Sequence, residues 1–195
     1  MPRFSDSEKE IIRQRLLTEG ERLFSTLGLK KVTIDDLIHA VDIAKASFYT
    51  FYTSKEQLYM EIVQSIQKKL FTDVEELLEQ NSGLPCAERV KQVFAWLYLN
   101  MSKYPILLQI DSSTVDYISR KLPPEQLADY QQNQFDAAQS LADHGVKFKC
   151  SVELASKAFQ AVYYCWLGLK MEGEETQKAV IDLVLSGVIH EVVAD

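Results

Sequence analysis

Between positions 44 and 49 the chain places a cation, two methyl-bearing small residues and two hydroxyls: Ala44, Lys45, Ala46, Ser47 and Tyr49. Each of these has a natural counterpart on duplex DNA. A lysine donates to guanine O6 and N7, and an alanine methyl fits against the thymine C5-methyl. Serine and tyrosine hydroxyls donate to phosphate oxygens, which sets register without reading sequence. Thr33 and Lys55 stand where two further helices are expected to begin, and a helix N-terminus attracts phosphate; Lys55 adds a cation there. Other chemistry is poorly served. Asp35 and His39 have the i,i+4 spacing of two metal ligands, but no third ligand stands nearby, so no metal is expected. Asp35 and Asp36 are better explained as acids favoured in a helix first turn. There is no phosphate loop, no Gly-x-Ser-x-Gly and no His-Glu-x-x-His, and the three histidines are isolated. No catalytic residue and no cofactor are expected. Tyr49 and Tyr52, taken alone, suit a core as well as a phosphate, and an unplaced Lys45 would be an ordinary solvated charge.

The elements that must position these residues are helical. Ser7-Glu8-Lys9-Glu10 reads as a capping box, followed by Ile12, Leu16, Leu23 and Leu27 at helical spacing and a stop at Gly28. Thr33 opens a second helix whose Ile34, Leu37, Ile38 and Val41 share a face, and a short third runs over 45–50. Ser54-Lys55-Glu56-Gln57 opens a fourth reaching Gln80, roughly 39 Å long. Asn81-Ser82-Gly83-Leu84-Pro85 ends it. Five more are expected at about 86–102, 105–119, 124–144, 151–172 and 174–194. No strand alternation or internal repeat is found, and Val146–Cys150 is too short to count. The fold class is therefore all-α, with about nine helices.

The second and third helices, separated by Val41-Asp42-Ile43-Ala44, make a helix-turn-helix. The segment from Thr33 to Leu58 resembles the TetR family of bacterial transcriptional regulators. The usual family pattern there is Thr, Asp-Ile-Ala, Ala-Gly-Val-Ser, Lys-Gly-Thr-Leu-Tyr and Phe-x-Ser-Lys-Glu-x-Leu, and the likeness covers about residues 7–67. It implies a DNA-binding domain over 1–53, with its motif at about 33–52, and a helical effector-binding and dimerisation domain over 54–195. It also implies a cytoplasmic homodimer, most often a repressor, that binds a palindromic operator and answers to a small molecule. In that context Thr33, Ala44, Lys45, Ala46, Ser47, Tyr49 and Lys55 are the expected DNA contacts, while Phe48, at a position the family fills with a buried leucine, packs. Tyr52 is left to the core. Three departures stand out. Asp42 replaces the turn glycine, Ala44 replaces a serine cap, and Phe51 stands where many relatives carry a phosphate-binding histidine. Aspartate tolerates the left-handed conformation of such a turn better than most residues. Losing the cap costs on the order of 1 kcal/mol unless Asp42 caps instead.

The expected last helix carries its polar residues Lys178, Asp182, Ser186 and His190 in one narrow stripe. Val180, Leu183, Val184, Gly187 and Val188 lie to one side, and Ile181, Leu185, Ile189 and Val192 to the other. A helix apolar over most of its circumference needs burial on two sides. The preceding helix has small residues at Ala158, Ala161, Cys165 and Gly168, which permit close approach, so a four-helix dimer interface is expected. By the same resemblance, an effector cavity is expected among helices four to eight. Its candidate wall residues are Phe71, Phe94, Trp96, Tyr98, Tyr104, Phe135, Phe159, Tyr163 and Trp166. Phe159, Tyr163 and Trp166 share one face, a spacing that equally suits plain core.

Composition bounds these readings. The 195 residues are 47% hydrophobic and 25% charged, with only 7 Gly and 5 Pro, which argues against a turn-dense β architecture. No apolar run is long enough to cross a membrane, and the segment from Met1 to Asp6 lacks the apolar core of a signal peptide, so none is expected. Cys86, Cys150 and Cys165 are widely spaced, as small fillers in a reducing compartment would be. Residues 1–60 carry nine cations and nine anions, whereas the remainder carries twelve against nineteen, so the net charge of −7 lies beyond residue 60. Two rivals remain on sequence alone: a helical enzyme, for which no motif is present, and an all-helical protein-interaction module without DNA binding.

Overall fold

The computed structural model describes residues 4–101, 103–132, 136–169 and 173–194. These form α1 (Asp6–Leu27), α2 (Ile34–Val41), α3 (Lys45–Phe48), α4 (Lys55–Gln80), α5 (Cys86–Met101), α6 (Ser112–Lys121), α7 (Pro124–Gln132), α8 (Ala137–Asp143), α9 (Val152–Gly168) and α10 (Glu174–Val192). A 3-10 turn at Leu107–Gln109 precedes α6. The described residues contain no strand, only an isolated bridge between Phe148 and Val193. The all-α expectation holds, with ten α-helices in place of nine.

α3 stops at Phe48 and α9 at Gly168, short of the expected ends at 50 and 172, and the larger differences arise at helix starts. α1 begins at Asp6 because Ser5, not Ser7, is the cap: its hydroxyl accepts from the Glu8 amide while the Glu8 carboxylate accepts from the Ser5 amide at 2.7 Å. Both serines have a glutamate three positions on, and the frame that lengthens the helix prevails. Asp111 caps α6 by accepting from Thr114 N at 2.7 Å, so the helix expected from 105 starts at Ser112. Asp136 accepts from the amides of Ala138 and Gln139, which starts α8 and divides the helix expected over 124–144. A short polar side chain that satisfies orphan amides outweighs continuous helical spacing at these places.

The chain divides into two compact units, Met1–Lys68 with Met101–Gln134, and Lys69–Asn100 with Phe135–Asp195. α4 contributes residues to both, and the first unit reaches beyond residue 53. The core of that first unit includes Leu16, Phe24, Leu37, Val41, Phe48, Leu58 and Tyr59, all at most 2% exposed. Phe24 and Tyr59 meet edge to face with centroids 5.2 Å apart. The second unit packs α9 against α8 and α10. Its buried residues include Leu141, Ala155, Phe159, Val162, Leu185 and Ile189.

Helix α1 approaches α4 closely at Gly20. A Cβ built there would lie 2.9 Å from Ile62 Cδ1 and 3.2 Å from Leu58 Cδ2. The tips of those side chains can yield to one methyl but not to a branched group. Gly20→Val is therefore expected to lower stability by about 1–3 kcal/mol through overpacking. A thermal melt followed by circular dichroism checks this; an unchanged midpoint would mean that the helices separate freely at that level.

Candidate nucleic-acid interface

α3 has four residues, too few to persist by its own hydrogen bonds. It is held from both ends. On the N-terminal side, α2 ends in Asp42, whose left-handed φ of 59° and ψ of 56° turn the chain, with its amide donating to Ile38 O. Aspartate thus fills the turn expected of glycine. It does not cap α3, however, since Ala44 is the cap residue and no side chain accepts from the first amides of the helix. On the inner side Phe48 is fully buried, its ring 6.0 Å from that of the buried Tyr52 and 5.6 Å from that of Tyr49. Phe48 and Tyr52 therefore pack, as the sequence indicates. The Tyr52 hydroxyl lies against Arg13 and Glu61, which are themselves ion-paired, and burial pushes its pKa up to about 12.

Anchoring Phe48 leaves the other side of α3 in the open. Ala44, Lys45, Ala46, Tyr49 and Thr50 are exposed and Ser47 is half-buried. Tyr49 is 52% exposed. This is the arrangement a groove-reading helix needs: small and polar side chains outward, with one aromatic pulling the other face inward. Lys45 is not free, however. Its Nζ donates to Asp35 Oδ1 on α2 at 2.9 Å, and that hydrogen bond holds the ammonium above the usual lysine range.

Two expected phosphate contacts are placed differently. The Thr33 amide and hydroxyl both donate to the Asp36 carboxylate, at 2.8 and 2.7 Å, while the Asp36 amide donates back to the Thr33 hydroxyl. This capping box engages at the start of α2 the very groups that would face a phosphate, and it holds the Asp36 carboxyl below the usual range. The Lys55 ammonium turns inward, donating to Leu29 O at 2.8 Å, to Lys30 O at 3.4 Å and to Val32 O. Partial burial pushes it below the usual lysine range, and three carbonyls take the place of water. Lys55 thus ties the start of α4 to the loop between α1 and α2. Ser54 accepts from Gln57 N, while Gln57 Oε1 accepts from the Thr53 amide one residue earlier than a capping box would require. Sequence reasoning missed the partners of Lys55 because they lie in another segment of the chain, and that of Gln57 because it lies one residue out of frame.

Of the expected effector-cavity residues, five belong to aromatic contacts of the second unit. Phe94 and Tyr98 on α5 meet Phe159 and Trp166 on α9, at 5.1 and 5.9 Å between centroids, and Tyr163 lies 6.0 Å from Trp166. Phe159 and Trp166 are buried and Tyr163 is half-buried, its pKa raised to about 12 by burial. Phe71 and Trp96 are half-buried in the same unit. Tyr104 belongs to the other unit, and Phe135 lies outside the described residues. On α10, Ile181, Leu185 and Ile189 are buried, while Leu183 on the opposite flank is 74% exposed. Leu154 and Tyr164 on α9 are also exposed. No group of three or more metal-ligating side chains occurs among the described residues, and no described helix is long and apolar enough to cross a membrane.

Comparison with known proteins bears on this arrangement directly. Residues 16–62 match the family model of bacterial regulatory proteins of the tetR family, a span that includes α2, the Asp42 turn, α3 and the start of α4. Over that span the chain resembles the tetR family of bacterial regulatory proteins. The HTH-type transcriptional repressor DhaR of Mycobacterium sp. strain GP1 is 27% identical over 84 residues, which is 43% of this chain and 42% of DhaR. The chain matches less than half the length of the curated relatives it resembles. The fold extends further than the sequence likeness. A TetR family transcription regulator from Marinobacter aquaeolei VT8 superposes with a TM-score of 0.62 at 18% identity, over 98% of this chain and all of that one. RolR, solved with its ligand resorcinol, gives 0.57 at 16% identity, over 93% of this chain and 89% of RolR.

The carbonyl grip on Lys55 has a measurable consequence. Lys55→Met should cost about 1–3 kcal/mol in urea denaturation by leaving half-buried carbonyls unpaired. The salt dependence of DNA binding should stay unchanged; a slope shallower by about 0.9 would show instead that Lys55 neutralises a phosphate.

Proposed function

We propose that this chain is a ligand-responsive transcriptional regulator of the TetR family that binds a palindromic operator as a homodimer and acts as a repressor. The observation that carries the reading is the exposure of Ala44, Lys45, Ala46 and Tyr49, with Ser47 half-buried among them, about a helix anchored by one buried ring. Lys45 reads a base edge, the alanine methyls meet thymine, and Ser47 and Tyr49 contact phosphate. Thr33 and Lys55 serve this interface by fixing the ends of α2 and α4, and touch phosphate only where DNA displaces their present partners. The functional division falls at residue 53, with 54–195 holding the effector and the second copy. The name of DhaR supports repression.

Dimerisation through α9 and α10 is supported by the flank of α10 that its own unit leaves uncovered, with Leu183 at its most exposed point. A two-fold protein would read half-sites in successive major grooves, about 34–36 Å apart. An aromatic effector is supported by the rings of Phe94, Tyr98, Phe159, Tyr163 and Trp166, and by the resorcinol bound to RolR. Effector coupling of about 1–3 kcal/mol would change operator affinity 5- to 150-fold. The compartment consistent with this role is the cytoplasm.

Retention on duplex DNA that falls steeply with salt separates a regulator from an all-helical interaction module, which would show none. With an operator selected in vitro, Lys45→Ala should cost about 1–3 kcal/mol and relax preference at one base pair, whereas Tyr49→Phe should weaken all duplexes alike. Equal loss for Lys45→Ala on operator and scrambled DNA would remove its base-reading role. Light scattering at micromolar concentration should report about twice the 22.3 kDa chain mass, and a monomer would overturn the dimer.

A further inference from the structure

The helix-turn-helix from Thr33 to Tyr52 is acidic. It carries Asp35, Asp36 and Asp42 against a single cation, Lys45. That is an unusual balance for a surface meant to lie on a polyanion, since phosphate neutralisation supplies essentially all non-specific affinity. The three acids are differently placed. Asp36 is held in the capping box with Thr33, and Asp42 is the αL turn residue. Asp35 reaches across from α2 to the recognition helix, where its Oδ1 accepts from Lys45 Nζ at 2.9 Å. Both side chains are more than half exposed, at 59% and 54%, so the pair stands on the open face beside Ala46 and Tyr49 and is not buried beneath it.

We propose that Asp35 is a specificity-determining residue that acts through Lys45, biasing that lysine away from backbone phosphate and toward the neutral acceptors of a guanine edge. The pair is close to neutral as a unit, so a phosphate gains little attraction from Lys45 and meets the repulsion of Asp35. A guanine edge offers O6 and N7 as uncharged acceptors, and an ammonium bonded once to Asp35 keeps two N–H groups for them. The carboxylate therefore taxes non-specific contacts more than the specific one. It also orients Lys45, which on a four-residue helix has few neighbours to hold it. This inference rests on the proposed DNA-binding role and concerns the ratio between two kinds of DNA.

The test compares wild type, Asp35→Asn, Lys45→Ala and the double variant on an operator selected in vitro and on scrambled duplex of equal length, each from low to moderate salt. Asp35→Asn should bind scrambled DNA about two- to five-fold more tightly, the scale of one exposed ion pair released, with a smaller gain or a loss on the operator. Its salt slope on scrambled DNA should steepen by about 0.9, one added phosphate contact. Both effects should vanish when Lys45 is already alanine. Equal gains on both duplexes, an unchanged slope, or the same gain in the Lys45→Ala background would overturn the proposal and leave Asp35 as simple charge repulsion. Loss of folding in Asp35→Asn would show in circular dichroism as lost helix and would also overturn it, since the Thr33–Asp36 box should hold α2 without Asp35. Wild type that retains no duplex DNA would instead bring down the DNA-binding reading, and this inference with it.

Discussion

A helix of four residues has no stability of its own, because nucleation fixes several dihedrals before propagation returns anything. Whatever direction α3 points is decided elsewhere. Two constraints decide it: the left-handed residue at 42, which turns the chain in the short connection between α2 and α3, and the burial of Phe48 among the core side chains of the first unit. The exposed residues around Lys45 are then presented to solvent by default, with no force of their own. Capping at Thr33 and the carbonyl tie at Lys55 stiffen the neighbouring elements in the same way, through backbone groups that would otherwise be unpaired.

This layout determines what was legible in the sequence. The helix-turn-helix could be read because its requirements are local: a turn residue tolerant of positive φ, an aromatic at the inward position and small residues outward. Asp42, Phe48 and Tyr52 behave as local chemistry indicates. Element boundaries were less legible where two capping frames competed, as at Ser5 and Ser7, and where Asp111 and Asp136 start helices inside a continuous apolar pattern. The partners of Lys45 and Lys55 were not legible at all. Asp35 lies ten positions from Lys45, and the acceptors of Lys55 are main-chain oxygens 23 to 26 positions away, which no side-chain pattern encodes.

The second unit illustrates the opposite limit. Its aromatic residues on α5 and α9 were visible as stripes at helical spacing, and they do meet in pairs. A stripe, however, specifies a buried face without saying whether rings or a guest fill the space, so composition and periodicity alone could not separate core from cavity. The uncovered flank of α10 was easier to foresee, because a helix apolar on two sides and polar on only one narrow strip has to find two apolar neighbours.

The way Lys55 is held has one more consequence. A protonated amine spreads its three N–H bonds over a cone, and the oxygens of Leu29, Lys30 and Val32 occupy that cone from one direction. A guanidinium is flat and wider, and aims its donors along a rigid fork. Arginine, the exchange that keeps the charge, would therefore pry the loop ahead of α2 apart, so this position tolerates a change of charge no better than a change of shape.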